Sequence, residues 1–129
     1  MPNKRDIRMS EYGISKYKYR ELLYFCKQYN EKKKKISELK WLDAINYDSI
    51  GSSGKISTPT ENKGIELAGL TRDIEMIESA AKEADEGIHK YILSNVTEDI
   101  PYEYMPVPCG RRQFYLARRK FFYILSKKK

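Results

Sequence analysis

The chain has 129 residues, with 25 Lys or Arg against 18 Asp or Glu, so its formal net charge is +7. This length suits one compact domain or two small helical pieces, and the basic balance favours a polyanionic partner. Two cysteines and one histidine are too few for a disulfide framework or a zinc site within one chain. We therefore expect no metal and no cofactor.

The start of the chain and its apolar runs bear on localisation. No apolar run approaches the roughly 20 residues of a membrane span, and the first residues lack the apolar segment of a signal peptide. We therefore expect a cytoplasmic protein without a membrane partner. Residues 1–14 are short, polar and charged, which predicts a mobile basic arm containing Lys4, Arg5 and Arg8.

Residues 15–46 are predicted to form the N-terminal helix. Ser15 occupies the N-cap position, and apolar residues recur at intervals of three and four, namely Leu22, Phe25, Cys26, Tyr29, Ile36, Leu39 and Leu42. The polar run from Glu31 to Lys35 lets this helix be continuous or broken near Tyr29. Its lysines are a second candidate phosphate surface, although a solubilising face is the favoured interpretation. Trp41 is expected to pack on a neighbouring helix.

Residues 47–58 are rich in Gly, Ser and Asn and predict a flexible linker. A helix should follow, with Thr58 as N-cap, Pro59 in its first turn and Glu61 closing a capping box. Its apolar residues hold a heptad seam of Leu67, Leu70, Ile74, Ile77, Ala81, Ala84 and Ile88. A hairpin with the first helix is favoured as the partner of this seam, and a homodimer is left open.

A turn at Asp85–Gly87 separates this helix from a shorter one. Asp85 is expected to cap the shorter helix, which carries Ile88, Tyr91, Ile92 and Val96. His89 is interpreted as an ordinary half-exposed histidine. A proline-started turn at Ile100–Met105 comes next, and Cys109 stands at the N-cap of the last helix. A reactive Cys109 thiol, with a pKa lowered by the helix N-terminus and nearby arginines, is the less favoured alternative.

The last helix, residues 110–126, combines an apolar face with a basic surface. Phe114, Ala117, Phe121, Ile124 and Leu125 share one face. From Arg111 to Lys129 there are eight Lys or Arg and no acidic residue, whereas Thr71–Glu103 holds nine acidic and three basic residues. Such a helix is typical of contact with phosphates and base edges. The candidate nucleic-acid-binding residues are Arg111, Arg112, Gln113, Tyr115, Arg118, Arg119, Lys120, Lys127 and Lys128.

The order of these elements predicts an all-α fold. It would consist of a long-helix hairpin or bundle, followed in the C-terminal part (59–129) by a helix-turn-helix-like unit at 86–126. The basic last helix would be its reading helix.

Short motifs along the chain resemble the RinA/ArpU-type transcriptional regulators of phages and prophages of Gram-positive bacteria. The motifs are Thr58-Pro59-Thr60, Ile74–Glu78, and Val107–Tyr115 with Arg118-Arg119-Lys120-Phe121 and Leu125, and near the front Tyr17, Tyr19, Arg20, Leu23 and Tyr24. The resemblance implies a small helical protein with a C-terminal unit similar to sigma region 4. It also implies binding to double-stranded promoter DNA through the last helix, contact with bacterial RNA polymerase, and localisation at the nucleoid.

Other functions make different demands on the sequence. No nucleophile and base, metal set or nucleotide loop is visible, so neither enzymatic activity nor a small-molecule substrate is expected. Two alternatives remain open. One is a small terminase-like DNA-packaging subunit, and the other is a phage-encoded inhibitor of a host nucleoprotein, such as an anti-CRISPR protein.

Overall fold

The computed structural model describes residues 12–50 and 57–129, with side chains for 12–42 and 63–129. Over these residues the chain forms α-helices and one short 3-10 turn, and no strand, so the predicted all-α class is confirmed. The helices are α1 (Lys16–Lys27), α2 (Tyr29–Ile50), α3 (Ser57–Ala84), α4 (His89–Glu98) and α5 (Arg111–Lys128), with the 3-10 turn at Tyr102–Tyr104. Lys4, Arg5, Arg8, most of the predicted linker and the side chains of Thr58, Pro59 and Glu61 lie outside the described residues.

The observed helix boundaries can be compared with the predicted ones at two places. The N-terminal helix is broken at Gln28, which separates α1 from α2 close to the predicted position. The linker predicted for 47–58 was too long, because α2 continues to Ile50 and α3 already begins at Ser57. Both helices extend into polar sequence, because each Ser, Asp or Asn lowers the stability of a helix by only about a few tenths of a kcal/mol.

The chain divides into two compact units. One comprises the described residues up to Gln28 together with Met76–Lys129, and the other is formed by the described residues of Tyr29–Glu75. In the first unit α1, α4 and α5 pack on one another. Its buried apolar residues are Ile14, Leu22, Cys26, Ile77, Ala80, Ala81, Ala84, Ile88, Ile92, Val96, Phe114, Ala117, Phe121, Phe122 and Leu125. The core is therefore built mainly from α1, α4, α5 and the last turns of α3.

The entry into α1 is ordered by packing. Gly13 adopts a φ of 75°, a left-handed conformation that favours glycine. Ser15 then caps α1 as predicted, its Oγ accepting from the Lys18 N–H at 3.0 Å. Ile14 is buried and the Tyr12 ring lies 5.2 Å from that of Tyr123. The last residues of the predicted mobile arm therefore pack against the helices instead of forming part of an arm.

The second unit joins α2 to α3 by ion pairs. Lys32 Nζ lies 2.8 Å from Asp73 Oδ2, and Lys35 Nζ lies 3.9 Å from Glu66 Oε2. Lys35 follows Lys32 in α2, but its partner Glu66 precedes Asp73 in α3. The two helices therefore run antiparallel, as in the favoured hairpin. Lys33 lies over the Tyr29 ring at 5.1 Å. Two lysines of this run, Lys32 and Lys35, are therefore ion-paired within their own unit.

Burial along the α3 seam increases toward its C-terminal end. Leu67 and Leu70 are half-buried, whereas Ile74, Ile77, Ala81, Ala84 and Ile88 are buried. The predicted seam is therefore buried from Ile74 onward, and its residues from Ile77 onward belong to the first unit. The prediction for Trp41 was wrong, since its side chain is 65% exposed, and Leu42 is also exposed.

The turn before α4 is shaped differently from the prediction. The Asp85 Oδ1 accepts from the Gly87 N–H at 2.9 Å, while the N-cap of α4 is Ile88, without a side-chain bond. Asp85 therefore stabilises the turn and does not cap α4. His89 is half-exposed, as expected, and its Nδ1 lies 2.9 Å from the Glu86 carbonyl oxygen.

Candidate nucleic-acid interface

Helix α5 has a broad buried side. Phe114, Ala117, Phe121 and Leu125 are buried as predicted, and Ile124 is half-buried. Phe122 is also buried, with its ring edge against Tyr19 of α1 at 5.0 Å. Because α5 packs against both α1 and α4, its buried side is wider than a single apolar stripe. Fewer of its basic residues therefore face solvent than the sequence pattern indicated.

Arg119 is the clearest correction. It was a candidate phosphate contact, but its exposed fraction is only 5%. A guanidinium that is buried to this extent requires polar contacts inside the protein, because an uncompensated buried charge is costly. Arg119 is therefore a residue of the first unit's interior and not of the binding surface.

Arg118 is also engaged inside the protein. Its Nε donates to Asn95 Oδ1 at 2.6 Å, and its NH1 donates to the Tyr19 hydroxyl at 3.2 Å. The guanidinium also lies over the Phe122 ring at 5.0 Å. One side chain of α5 thus contacts α1 and α4, and these bonds hold the half-buried Arg118 guanidinium within the first unit.

Arg111 remains exposed, but its charge is paired. Its NH1 lies 2.6 Å from Glu103 Oε2. The guanidinium also lies over the ring of Tyr115 at 4.7 Å, and the half-buried Tyr115 packs edge-on against Phe114. Arg111 and Tyr115 are therefore held in one cluster at the start of α5, and less of the Arg111 charge is available to a ligand.

The segment between α4 and α5 is anchored at both ends. The Asn95 Nδ2 donates to the Ile100 carbonyl at 3.0 Å, and the Tyr102 hydroxyl donates to the Cys109 carbonyl at 2.6 Å. The Tyr102 ring also packs on Phe114, with centroids 5.3 Å apart. These contacts hold the first turn of α5 in a defined position, as a surface that reads a ligand requires.

Cys109 does not have the predicted N-cap role, and the less favoured reactive-thiol alternative does not fit it either. The N-cap of α5 is Gly110, and no side chain bonds to the first turn. Burial raises the pKa of the Cys109 thiol, and the negative charge of Asp85 raises it further. A thiolate of depressed pKa, which a reactive cysteine needs, is therefore contradicted.

The exposed side of α5 carries the remaining candidates, and we call Arg112, Gln113, Lys120 and Lys127 the cationic stripe. All four are exposed. Seven residues are close to two helical turns, so Gln113, Lys120 and Lys127 lie nearly in line along about 21 Å of helix. Among the described residues, no carboxylate forms an ion pair with Arg112, Lys120 or Lys127.

The two final lysines differ from the stripe. Lys128 Nζ lies 2.7 Å from Glu83 Oε2, and Lys129 Nζ lies 4.0 Å from Glu21 Oε2. Lys127 instead lies over the Tyr123 ring at 5.3 Å, a contact that leaves its charge uncompensated. Of the predicted site residues, the structure therefore leaves Arg112, Gln113, Lys120 and Lys127 fully available.

The residues that decide these outcomes were not recognised from the sequence. Asn95 and Tyr19 are far from Arg118 along the chain, and Glu103 lies in a different element from Arg111. No local periodicity signals such partners. They become apparent only when the helices pack.

The exposed side of α5 has the chemistry to hold a polyanion. A row of uncompensated cations suits phosphates, and Arg and Gln in a first helical turn are suitable donors to base edges. No cluster of His, Cys, Asp or Glu that could hold a metal ion occurs within 12–42 and 63–129. Within the described part of the chain, no helix is long and apolar enough to span a membrane.

The helix-turn-helix-like unit stays a prediction. α4 ends at Glu98 and α5 begins at Arg111, so the connection is longer than the about 3–4 residues of a standard helix-turn-helix corner. Comparisons with protein-family models, with curated proteins and with solved structures found no match.

Proposed function

We propose that this protein binds double-stranded DNA through the cationic stripe of α5 and acts as a phage or prophage transcriptional regulator. The main support for this proposal is that Arg112, Lys120 and Lys127 of the stripe face solvent without an ion-pair partner among the described residues. Helix α5 has no acidic residue to oppose a phosphate. The resemblance to RinA/ArpU-type regulators supports the regulatory part, including bacterial RNA polymerase as a partner and a place at the nucleoid.

The stripe has two parts with different proposed roles. Arg112 and Gln113 lie in the first turn of α5, where a helix set in the major groove directs side chains at base edges. Lys120 and Lys127 lie two and four turns further on, where phosphates are the nearest groups. The first turn would supply sequence preference, and the lysines would supply affinity.

The test is a selection from random duplex DNA, followed by titration of each variant against the selected site and a scrambled one at fixed salt. Arg112→Ala should weaken binding to the selected site by about 1 to 3 kcal/mol and change binding to the scrambled site little. Lys120→Ala should weaken both by a similar factor, because a phosphate contact carries no sequence information.

Arg111→Ala is the matched control, since the Arg111 guanidinium is already paired with Glu103. It should affect the selected site less than Arg112→Ala does. An equal loss on both DNAs for Arg112→Ala would reduce the stripe to a non-specific electrostatic surface. The packaging or inhibitor alternative would then replace the regulator.

A further inference from the structure

The outer side of α1 carries two widely exposed tyrosines. Tyr17 is 73% exposed and Tyr24 is 63% exposed. They are seven residues apart, close to two helical turns, so their rings project from the same side of α1 about 10 Å apart. Large aromatic side chains gain by burial, and two in line on one helix mark a surface that a ligand can cover.

Positive charge lies beside the first of these rings, that of Tyr17. The Lys16 Nζ lies 5.9 Å and the Arg20 Cζ 6.0 Å from the centroid of the Tyr17 ring, and both side chains are exposed. Glu21 is the one acidic residue in the α1 sequence, and its carboxylate lies 3.1 Å from Lys18 Nζ and 4.0 Å from Lys129 Nζ. The acid is thus already compensated, and the charge left beside Tyr17 is positive.

The composition of this face distinguishes between two kinds of ligand. No aliphatic side chain of α1 is exposed, since Leu22 is buried and Leu23 is half-buried. Lysine is depleted at protein interfaces, whereas here Lys16 lies beside the Tyr17 ring together with Arg20. Surfaces that bind single-stranded nucleic acid combine aromatic platforms for bases with cations for the backbone.

We propose that the outer face of α1 binds unpaired nucleotides of a single-stranded nucleic acid. Bases stack on Tyr17 and Tyr24, and Lys16 and Arg20 bind the adjacent phosphates. This surface is separate from the cationic stripe of α5, and the inference does not depend on duplex binding by α5.

The test uses a dye-labelled oligothymidylate of about 12 nucleotides, a length within the site sizes of single-strand binders. Fluorescence anisotropy at fixed salt measures its dissociation constant for the full chain and its variants. Tyr17→Ala and Tyr24→Ala should each weaken binding by about 5- to 150-fold, the factor that corresponds to the loss of one base stack. An oligouridylate of equal length shows whether the sugar matters, and tight binding of either strand supports the proposal.

Three control variants isolate stacking on α1. Tyr104→Ala removes a tyrosine that is 81% exposed but lies in the 3-10 turn, and it should leave binding unchanged. Tyr17→Phe keeps the aromatic face and should retain most of the affinity. Arg112→Ala, on the cationic stripe, should weaken duplex binding and leave the oligothymidylate nearly unaffected. Circular dichroism of each variant checks that the helices are intact, which the exposure of these residues predicts.

Four results would overturn the proposal. The first is failure of the wild-type chain to bind either strand at low salt. The second is wild-type affinity in the Tyr17→Ala, Tyr24→Ala double variant. A loss in Tyr17→Phe as large as in Tyr17→Ala would assign the contact to the hydroxyl and not to stacking. An equal loss in Arg112→Ala would place the strand on α5.

Discussion

The two sides of α5 use arginine and lysine in opposite ways. On the inner side, Arg118 donates to Asn95 and Tyr19, and Arg119 is buried. On the outer side, Arg112 and Lys120 face solvent. The four residues lie within three turns of one helix and carry the same formal charge. A run of positive charge therefore identifies a candidate binding helix, while packing decides which of its charges can reach a ligand.

The reason for the difference lies in the neighbours of α5. Its inner side meets α1 and α4, which offer a tyrosine hydroxyl and an asparagine amide oxygen as acceptors. Arginine suits this environment, because its planar group can donate in several directions and lie on aromatic rings at the same time. Lysine forms the C-terminal part of the stripe, where the ammonium group is a compact charge hydrated by solvent.

The largest effect should separate two adjacent residues. Phe121 is buried and Lys120 is exposed. Phe121→Ala should lower the free energy of unfolding by about 3 to 5 kcal/mol, because it leaves a cavity in the aromatic core. Lys120→Ala should change it by no more than about 0.5 kcal/mol. Urea unfolding followed by circular dichroism measures both, and similar losses would mean that α5 is not packed in the described orientation.

A smaller stability effect is expected for Arg118. Arg118→Ala removes two hydrogen bonds and leaves the Asn95 amide oxygen without its donor, so a loss of about 1 to 3 kcal/mol in unfolding free energy is expected. Arg112→Ala should change stability little. Arg118→Lys should restore only part of the loss, since an ammonium cannot reproduce the planar contacts. If the Arg118→Ala protein were as stable as the wild type but bound duplex DNA more weakly, Arg118 would be a DNA contact and not a structural residue.

Neighbouring lysines at the end of α5 offer a finer test. Lys127 lacks an ion-pair partner among the described residues, whereas Lys128 is paired with Glu83. Lys127→Ala should reduce the salt dependence of duplex binding by about one unit in the slope of log K against log salt. Lys128→Ala should reduce it less. Equal changes would show that the Lys128–Glu83 pair opens when DNA binds.

Local signals in the sequence predicted a large part of the fold. The Ser15 cap, the break near Tyr29 and the buried face of α5 follow from hydrogen-bonding chemistry and helical period, which act within a few turns. The exposure of Trp41 was not predicted, because it depends on whether a neighbouring helix places a side chain against the Trp41 ring.

The candidate site was predictable only in part. Arg112, Gln113, Lys120 and Lys127 were found from the basic surface of the last helix, and they remain its exposed side. Arg118 and Arg119 share that basic run, and only the positions of α1 and α4 separate them from the stripe. Charge is visible in a sequence, whereas the acceptor that neutralises or holds it comes from a distant element.

The smallest expected effect probes the electrostatics where the outer side of α5 begins. If the arginines and the helix N-terminus dominated there, the Cys109 thiol would have a pKa below its ordinary value. Burial and Asp85 instead raise the pKa of Cys109, so the neutral thiol persists to higher pH.

The alkylation rate of Cys109 with iodoacetamide should therefore rise at higher pH than for a free cysteine in a short peptide. Asp85→Asn should move that rise back toward lower pH, because it removes the negative charge. Buried Cys26 should stay unmodified in the folded protein, and mass spectrometry of the digested product separates the two. A Cys109 titration below that of the peptide would mean that the arginine side chains at the start of α5 are closer to the thiol than the structure has them.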